Sequence, residues 1–220
     1  MEEAKARQSV VEHGQKMNAL GINQGTSGNL SLRFKEGLLI TPSGIPYEEM
    51  GPEDVLFMRM DGSYDGRHHP STEWRFHRDI LAVRPEVHAV VHAHPTYCTA
   101  LSIVGRGIPP VHYMIAAALG DIRLAPYATF GTEELSKNAL LALEGRFACL
   151  LAHHGMIALG PTLPRALWLA NEVETLARQY TIALQIGEPK VLPQDEIERV
   201  IQKFMPYGIK EGLAQKGLKS

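Results

Sequence analysis

Two histidine pairs hold most of the chemistry this sequence could perform. His92-Ala93-His94 closes an apolar run through Val90 and Val91. On a strand, side chains at i and i+2 leave the same face, about 6–7 Å apart along it. Two imidazoles so placed can close on one metal ion, and a metal needs a third ligand from elsewhere. His153-His154-Gly155, at the end of the apolar run Ala148 to Ala152, offers one. Only one of that pair can share the face of the site. His154 is the candidate, because Gly155 after it lets the backbone come close. Any one of these residues also reads as an ordinary strand-end histidine, so the metal reading rests on the set. His88 shares a face with His92 but lies about 13 Å back along the strand, out of reach of the same ion. His77 follows Glu73 by four residues and reads as structural, and His68 and His69 read as solvated residues of a polar loop.

Glu73 is the natural acid/base candidate, beside the hydroxyls of Ser71 and Thr72. It reads equally well as an ordinary first-turn glutamate that favours the helix dipole. Gly28-Asn29, Ser43-Gly44 and Ser71-Thr72 are rich in small and hydroxyl residues. Taken singly each is a turn. Taken together, glycine-rich turns and a helix N-terminus can cradle a phosphate on backbone N–H groups without a lysine. Neither a P-loop lysine nor a dinucleotide fingerprint is present.

The elements that must position these residues follow from periodicity. A helix is expected over 3–20, with Val10, Val11, Met17 and Leu20 on one broad face and Gly21 as its stop. Leu30–Phe34 and Leu38–Ile40 form a hairpin, Val55–Met58 a further strand, and Ser63–Pro70 a loop. Ser71 reads as the N-cap of a helix over 72–81, with Glu73 in its first turn and Arg84-Pro85 after its end. His88–His94 is a buried strand. Thr96–Ile103 and His112–Leu119 are short helices. Ala148–Ala152 and Met156–Leu159 are strands. A long helix over 163–187 carries Leu169, Val173, Leu176, Tyr180 and Leu184 at helical spacing, a stripe that could serve subunit association. A last helix starts near Asp195. The expected fold is α/β in composition and α+β-like in arrangement, one domain over 1–220. Its central, largely antiparallel sheet is flanked by helices, and a mobile tail begins near 205, where Pro206 and Gly208 break the helix.

Composition narrows the classes. The chain has 220 residues, 45% apolar and 21% charged, as soluble globular proteins do. With 22 basic against 24 acidic residues, a nucleic-acid or membrane-surface protein is not indicated. No apolar run approaches the length of a membrane span. Two cysteines, Cys98 and Cys149, make no disulfide scaffold and point to a reducing cytoplasm.

The sequence resembles the class II aldolase/adducin family along almost its whole length. The matching segments include Gly25-Thr26-Ser27-Gly28-Asn29, Thr41-Pro42-Ser43-Gly44, Ser71-Thr72-Glu73-Trp74 and Val91-His92-Ala93-His94. They continue, in order, with Ala125-Pro126-Tyr127-Ala128-Thr129-Phe130-Gly131-Thr132 and His153-His154-Gly155. The resemblance implies one zinc ion, or another divalent metal, per subunit on His92, His94 and His154, with Glu73 catalytic and also a ligand when substrate is absent. It implies phosphate binding by Gly28, Asn29, Ser43, Gly44, Ser71 and Thr72. Tyr113 is expected to help protonate the leaving aldehyde, and Tyr207 to reach across a subunit interface of a homotetramer. The implied reaction is reversible cleavage of a ketose 1-phosphate, L-fuculose 1-phosphate or a related deoxypentulose 1-phosphate, into dihydroxyacetone phosphate and an aldehyde. A Schiff-base route would need a lysine in an apolar setting, and all nine lysines sit in polar or terminal stretches. The competing readings are a pentulose-phosphate epimerase or methylthioribulose-1-phosphate dehydratase of the same superfamily, an adducin-like assembly domain, and a zinc hydrolase. The expected partner is a small sugar phosphate, with no nucleic acid and no membrane, in the cytoplasm.

Overall fold

The computed structural model describes residues 2–208. Helix α1 (Glu3–Ala19) buries Ala6, Val10, Val11, Gly14 and Met17, one stripe of the expected spacing. Strands β1 (Asn29–Phe34) and β2 (Gly37–Ile40) form the hairpin, joined by a turn in which Lys35 takes the left-handed conformation. After β3 (Leu56–Arg59) comes β4 (Tyr64–Asp65), a two-residue strand where the sequence predicts only loop. Then follow α2 (Trp74–Val83), β5 (Ala89–Ala93), α3 (Thr96–Ile103) and a 3₁₀ helix (Tyr113–Ala118). The chain continues through β6 (Arg123–Ala125), α4 (Glu133–Ala142), β7 (Ala148–Leu151), β8 (Gly155–Gly160), α5 (Leu163–Ile186) and α6 (Gln194–Gly208).

The eight strands form one sheet in the order β4-β3-β2-β1-β5-β8-β7-β6. Every neighbouring pair is antiparallel except β6 and β7. The period-2 alternation of each strand divides the core between the two faces. Leu30, Leu32, Val91, Leu150, Met156 and Ala158 pack with α1, α3 and α5 on one face. Leu38, Ile40, Val90, Cys149, Ile157 and Leu159 pack with α2 and α4 on the other. The apolar stripe of α5 is spent here: Leu169, Val173, Leu176 and Tyr180 are buried against the chain's own sheet, and so supply no surface for subunit association.

Two polar ties fix the helices that flank the histidines. The Arg33 guanidinium on β1 donates to the carbonyls of Leu81, Arg84 and Val87, satisfying the C-terminal end of α2. The Glu174 carboxylate on α5 accepts the N–H groups of Tyr97 and Cys98, each at 2.9 Å, and so caps α3. That helix begins two residues after His94.

Two boundaries that bear on the site differ from the sequence expectation. Helix α2 starts at Trp74, so Glu73 is the residue before the helix and not a member of its first turn. Ser71 Oγ accepts the Glu73 N–H at 3.3 Å, closing a turn ahead of the helix instead of capping it. The backbone of α6 stays helical through Pro206 to Gly208, where a break was expected. A proline removes one helical hydrogen bond but its φ is already helical, so a short continuation is tolerated. The side chain of Tyr207 and everything after Gly208 lie outside the described residues, as does any tail. No described helix is long and apolar enough to cross a membrane.

Candidate metal centre

His92 is the penultimate residue of β5 and is fully buried. Its partners across the sheet are Asn29 on β1 and Ile157 on β8. Its Nδ1 donates to the Met156 carbonyl at 2.9 Å, which turns Nε2 toward the cluster. His94 follows the end of the strand, and its Nε2 lies 2.9 Å from His92 Nε2. His154 stands in the three-residue turn between β7 and β8. His153 takes a left-handed conformation there, φ 54°, and is exposed while His154 turns inward. Gly155 permits the close approach: a Cβ on it would lie 2.4 Å from the Ala93 carbonyl oxygen and 2.7 Å from His94 Cδ2. Of the pair, His154 is the one that lies beside His92 and His94.

The three imidazole centroids form a nearly equilateral triangle with sides of 4.8, 4.9 and 4.8 Å. Glu73 completes the cluster. Its Oε2 lies 3.0 Å from His92 Nε2, and its Oε1 lies 3.1 Å from His154 Nε2. One donor atom from each of Glu73, His92, His94 and His154 falls within 4.8 Å of the other three. Burial alone would raise the Glu73 pKa, but His92 and His154 outweigh it and hold the carboxyl well below its usual range. Burial, then His92 and His154, press the His94 pKa down to about 3, so that ring is neutral and keeps a lone pair.

The donor set fits a divalent cation on the structure's own evidence. Glu73 Oε1 is buried and, apart from its 3.1 Å approach to His154 Nε2, finds no partner, a state that costs free energy unless a cation meets it. The ring nitrogens of His92 and His94, facing each other at 2.9 Å, are likewise ligand-like. Three imidazoles with a carboxylate are donors that suit zinc and its neighbours in the first transition row.

The three hydroxyl-rich loops converge beside Glu73. Pro42 and Pro70 form an isolated antiparallel bridge. Ser43 N–H donates to the His69 carbonyl and Ser71 N–H to the Thr41 carbonyl, which sets Ser43 and Ser71 on adjoining loops. Thr41 Oγ1 accepts the Leu30 N–H at 3.2 Å, tying both loops to the start of β1, where Gly28 and Asn29 stand. Gly28 is held close: a Cβ there would lie 2.7 Å from the His92 carbonyl oxygen. Ser43, Gly44 and Thr72 are exposed, while Ser71 and Asn29 are buried.

Tyr113 is half exposed, and its ring neighbours are His112 and Phe204 of α6, not the histidine cluster. His68 is less free than the sequence suggests, since its Nε2 lies 2.9 Å from Asp54 Oδ1. His88 is exposed and apart from the site. Sequence reasoning missed the environment of Asn29. Its Nδ2 donates to Glu73 Oε2 at 3.1 Å and its Oδ1 faces His77 Nε2 at 2.6 Å. The available signal was the i, i+2 pair Asn29 and Ser31 on β1, which faces the helix carrying His77.

Comparison with known proteins agrees with this geometry. The family described as Class II Aldolase and Adducin N-terminal domain matches residues 8–181. A 5-methylthioribulose-1-phosphate/5-deoxyribulose-1-phosphate aldolase of Rhodospirillum rubrum is 56% identical over 92% of this chain and 92% of its own. An L-fuculose phosphate aldolase of Escherichia coli is 49% identical over 96% of this chain and 99% of its own. A solved structure of an L-fuculose 1-phosphate aldolase is similar with a TM-score of 0.89 at 41% identity, covering 91% of this chain and 96% of that one.

Proposed function

The chain belongs to the class II aldolase and adducin family and is a lyase of that family, and on that premise we propose that it reversibly cleaves a ketose 1-phosphate between C3 and C4. The products are dihydroxyacetone phosphate and an aldehyde. The observation that carries this reading is the Glu73, His92, His94 and His154 cluster, with donor atoms within 4.8 Å, beside the loops of Ser43 and Ser71. The three histidines would hold one zinc ion, joined by Glu73 when no substrate is bound. The chemistry such an ion supplies when bound is Lewis-acid stabilisation of the negative charge left by carbon–carbon cleavage.

The chain's own residues do the rest. Glu73 carries the proton to and from C3 of the dihydroxyacetone phosphate half. Ser43, Ser71 and Thr72, the backbone of Gly28 and Gly44, and the second N–H of the Asn29 amide bind the phosphate and so fix the reacting carbons. Tyr113 packs against α6 one turn before Tyr207 in sequence. In a homotetramer these two tyrosines would meet the aldehyde half of a neighbouring subunit's substrate. A lysine imine finds no support: all six described lysines are exposed.

The 56% identity to the methylthioribulose and deoxyribulose phosphate enzyme favours a 5-deoxy- or 5-methylthiopentulose 1-phosphate over L-fuculose 1-phosphate. The test is a coupled assay for dihydroxyacetone phosphate over those three substrates. Release from at least one by metal-loaded protein, fastest with a pentulose, is expected. No release from any of them would overturn the aldolase reading.

A further inference from the structure

His77 and Ser31 take no part in the site as described so far, yet both are fully buried beside it. Ser31 Oγ lies 2.8 Å from His77 Nδ1, His77 Nε2 lies 2.6 Å from Asn29 Oδ1, and Asn29 Nδ2 lies 3.1 Å from Glu73 Oε2. The four side chains form one unbranched line from the interior to the carboxylate. Strand β1 supplies Ser31 and Asn29 from one face, and α2 lays His77 between them, stacked on Phe76 with ring centroids 4.7 Å apart. Arg33, on the same strand, clamps the far end of that helix, so the spacing between β1 and α2 is fixed.

Only one assignment of protons satisfies this line. An ionised Glu73 accepts hydrogen bonds and donates none, so Asn29 must present its N–H₂ group to it. The Asn29 oxygen then faces His77, whose Nε2 must carry hydrogen. The His77 ring is neutral, because burial first, then His92, press its pKa down to about 3. Its Nδ1 is therefore bare and accepts from the Ser31 hydroxyl. Reversing any one member sets two lone pairs, or two hydrogens, against each other in a site closed to water, where an unmade hydrogen bond is costly.

We propose that His77 is a positioning residue for the aldolase reaction. Backed by Ser31, it locks the Asn29 amide so that an N–H donor, never the carbonyl oxygen, faces Glu73. An asparagine amide is nearly symmetric in shape, so packing alone does not choose its orientation. The Nε2–H of His77 makes the choice. The donor then holds the Glu73 carboxylate in one pose between the histidines and the phosphate loops. Without it the amide is free to turn, its oxygen repels the carboxylate, and Glu73 loses its alignment to the reacting carbon. This role rests on the proposed part of Glu73 in proton transfer.

The direct test is the tautomer of His77 in the metal-loaded wild-type protein, read from the ring ¹⁵N shifts and assigned with the His77→Gln variant. The Nε2–H form is expected. An Nδ1–H or doubly protonated ring would overturn the proposal. The kinetic test compares His77→Leu, which removes the donor, with His77→Gln, whose amide can restore it. At equal metal content, the leucine variant should lose about 10- to 100-fold in kcat, the scale of a lost hydrogen bond to a charged group. The glutamine variant should recover most of that loss. Ser31→Ala, a milder change that leaves the helix packing alone, should lower kcat in the same direction and decides the matter if the leucine variant does not fold. Unchanged kcat in Ser31→Ala and His77→Leu, or equal loss in the leucine and glutamine variants, would refute a positioning role. A Glu73→Gln control separates the two claims. If it stays fully active, the assignment of Glu73 is wrong; if it is inactive while His77→Leu is unimpaired, only the role of His77 falls.

Discussion

Gly155→Ala is the smallest change that should disable the metal centre without replacing a ligand. The φ of Gly155 lies outside the left-handed region, so alanine can adopt its backbone and any effect is steric. The new methyl would sit 2.4 Å from the Ala93 carbonyl oxygen and 2.7 Å from His94 Cδ2, where real contacts do not fall below 3.0 Å. The turn carrying His154 and the strand end carrying His94 must therefore separate by at least about 0.6 Å. Neither side yields easily. Ala93 is paired with Met156 across β5 and β8, and Glu174 caps the helix that follows His94. Ligand distances at a metal tolerate only about 0.2 Å. We expect metal affinity to fall about 10- to 100-fold, as for changes that misorient ligands from outside the coordination sphere. Overpacking should cost a further 1–3 kcal/mol or so of stability in the metal-free protein. Competition with a chelator of known affinity measures the first, and denaturant unfolding of the stripped protein the second. Wild-type affinity together with wild-type stability would refute the steric argument.

Three further outcomes follow from the same geometry. Glu73→Gln should keep the fold and most metal affinity but lose about 10²–10⁴-fold in turnover at saturating substrate, the usual scale for a positioned acid/base; near-normal turnover would remove Glu73 from proton transfer. In the metal-free protein, neutral burial of His77 means that the unfolded chain binds more protons, so stability should rise with pH. Its pKa of about 3 in the fold lies below the unfolded value near 6.5. The stabilisation is complete above that unfolded value and falls by up to about 1.4 kcal/mol per pH unit as the pH drops from about 6.5 towards 3; His94, depressed likewise, adds to the slope, so His77→Phe should reduce it without abolishing it, as unfolding at several pH values would show. Deleting residues 205–220 should slow cleavage while sparing metal binding, and mixing that truncation with His92→Ala chains should restore activity if Tyr207 serves a neighbour; no recovery after proven subunit exchange would mean that it does not.

The sequence was most legible where chemistry rides on a strand. The period-2 spacing of His92 and His94 and the glycine after His154 are local, and each carries its geometric meaning in one or two residues. The long stripe of α5 was equally readable as a helix, but not its destination, because periodicity states that a face is buried and not against what. Glu73 was harder. The helix signal around Ser71 is real, yet a serine–backbone turn and an N-cap look alike in sequence, so the residue was assigned two positions too deep in the helix. Strand β6 carries no signal, since three strand residues are too few for a pattern, whereas helix α4 is missing from the sequence reading although Thr132 before two glutamates marks its start. The line from Ser31 to Glu73 was invisible for a different reason. Its members are 46 and 48 residues apart in the key steps, and only tertiary packing of α2 on β1 brings them into line.

The central claim is that Glu73, His92, His94 and His154 hold one catalytic divalent ion. The direct measurement is elemental analysis of the purified protein beside its release of dihydroxyacetone phosphate from a 5-deoxypentulose 1-phosphate, before stripping with a strong chelator, after it, and after zinc is returned. The account predicts about one ion per chain, activity lost in proportion to the metal removed, and recovery with zinc in the wild type but not in His154→Ala. Full activity in protein that contains no metal would contradict it.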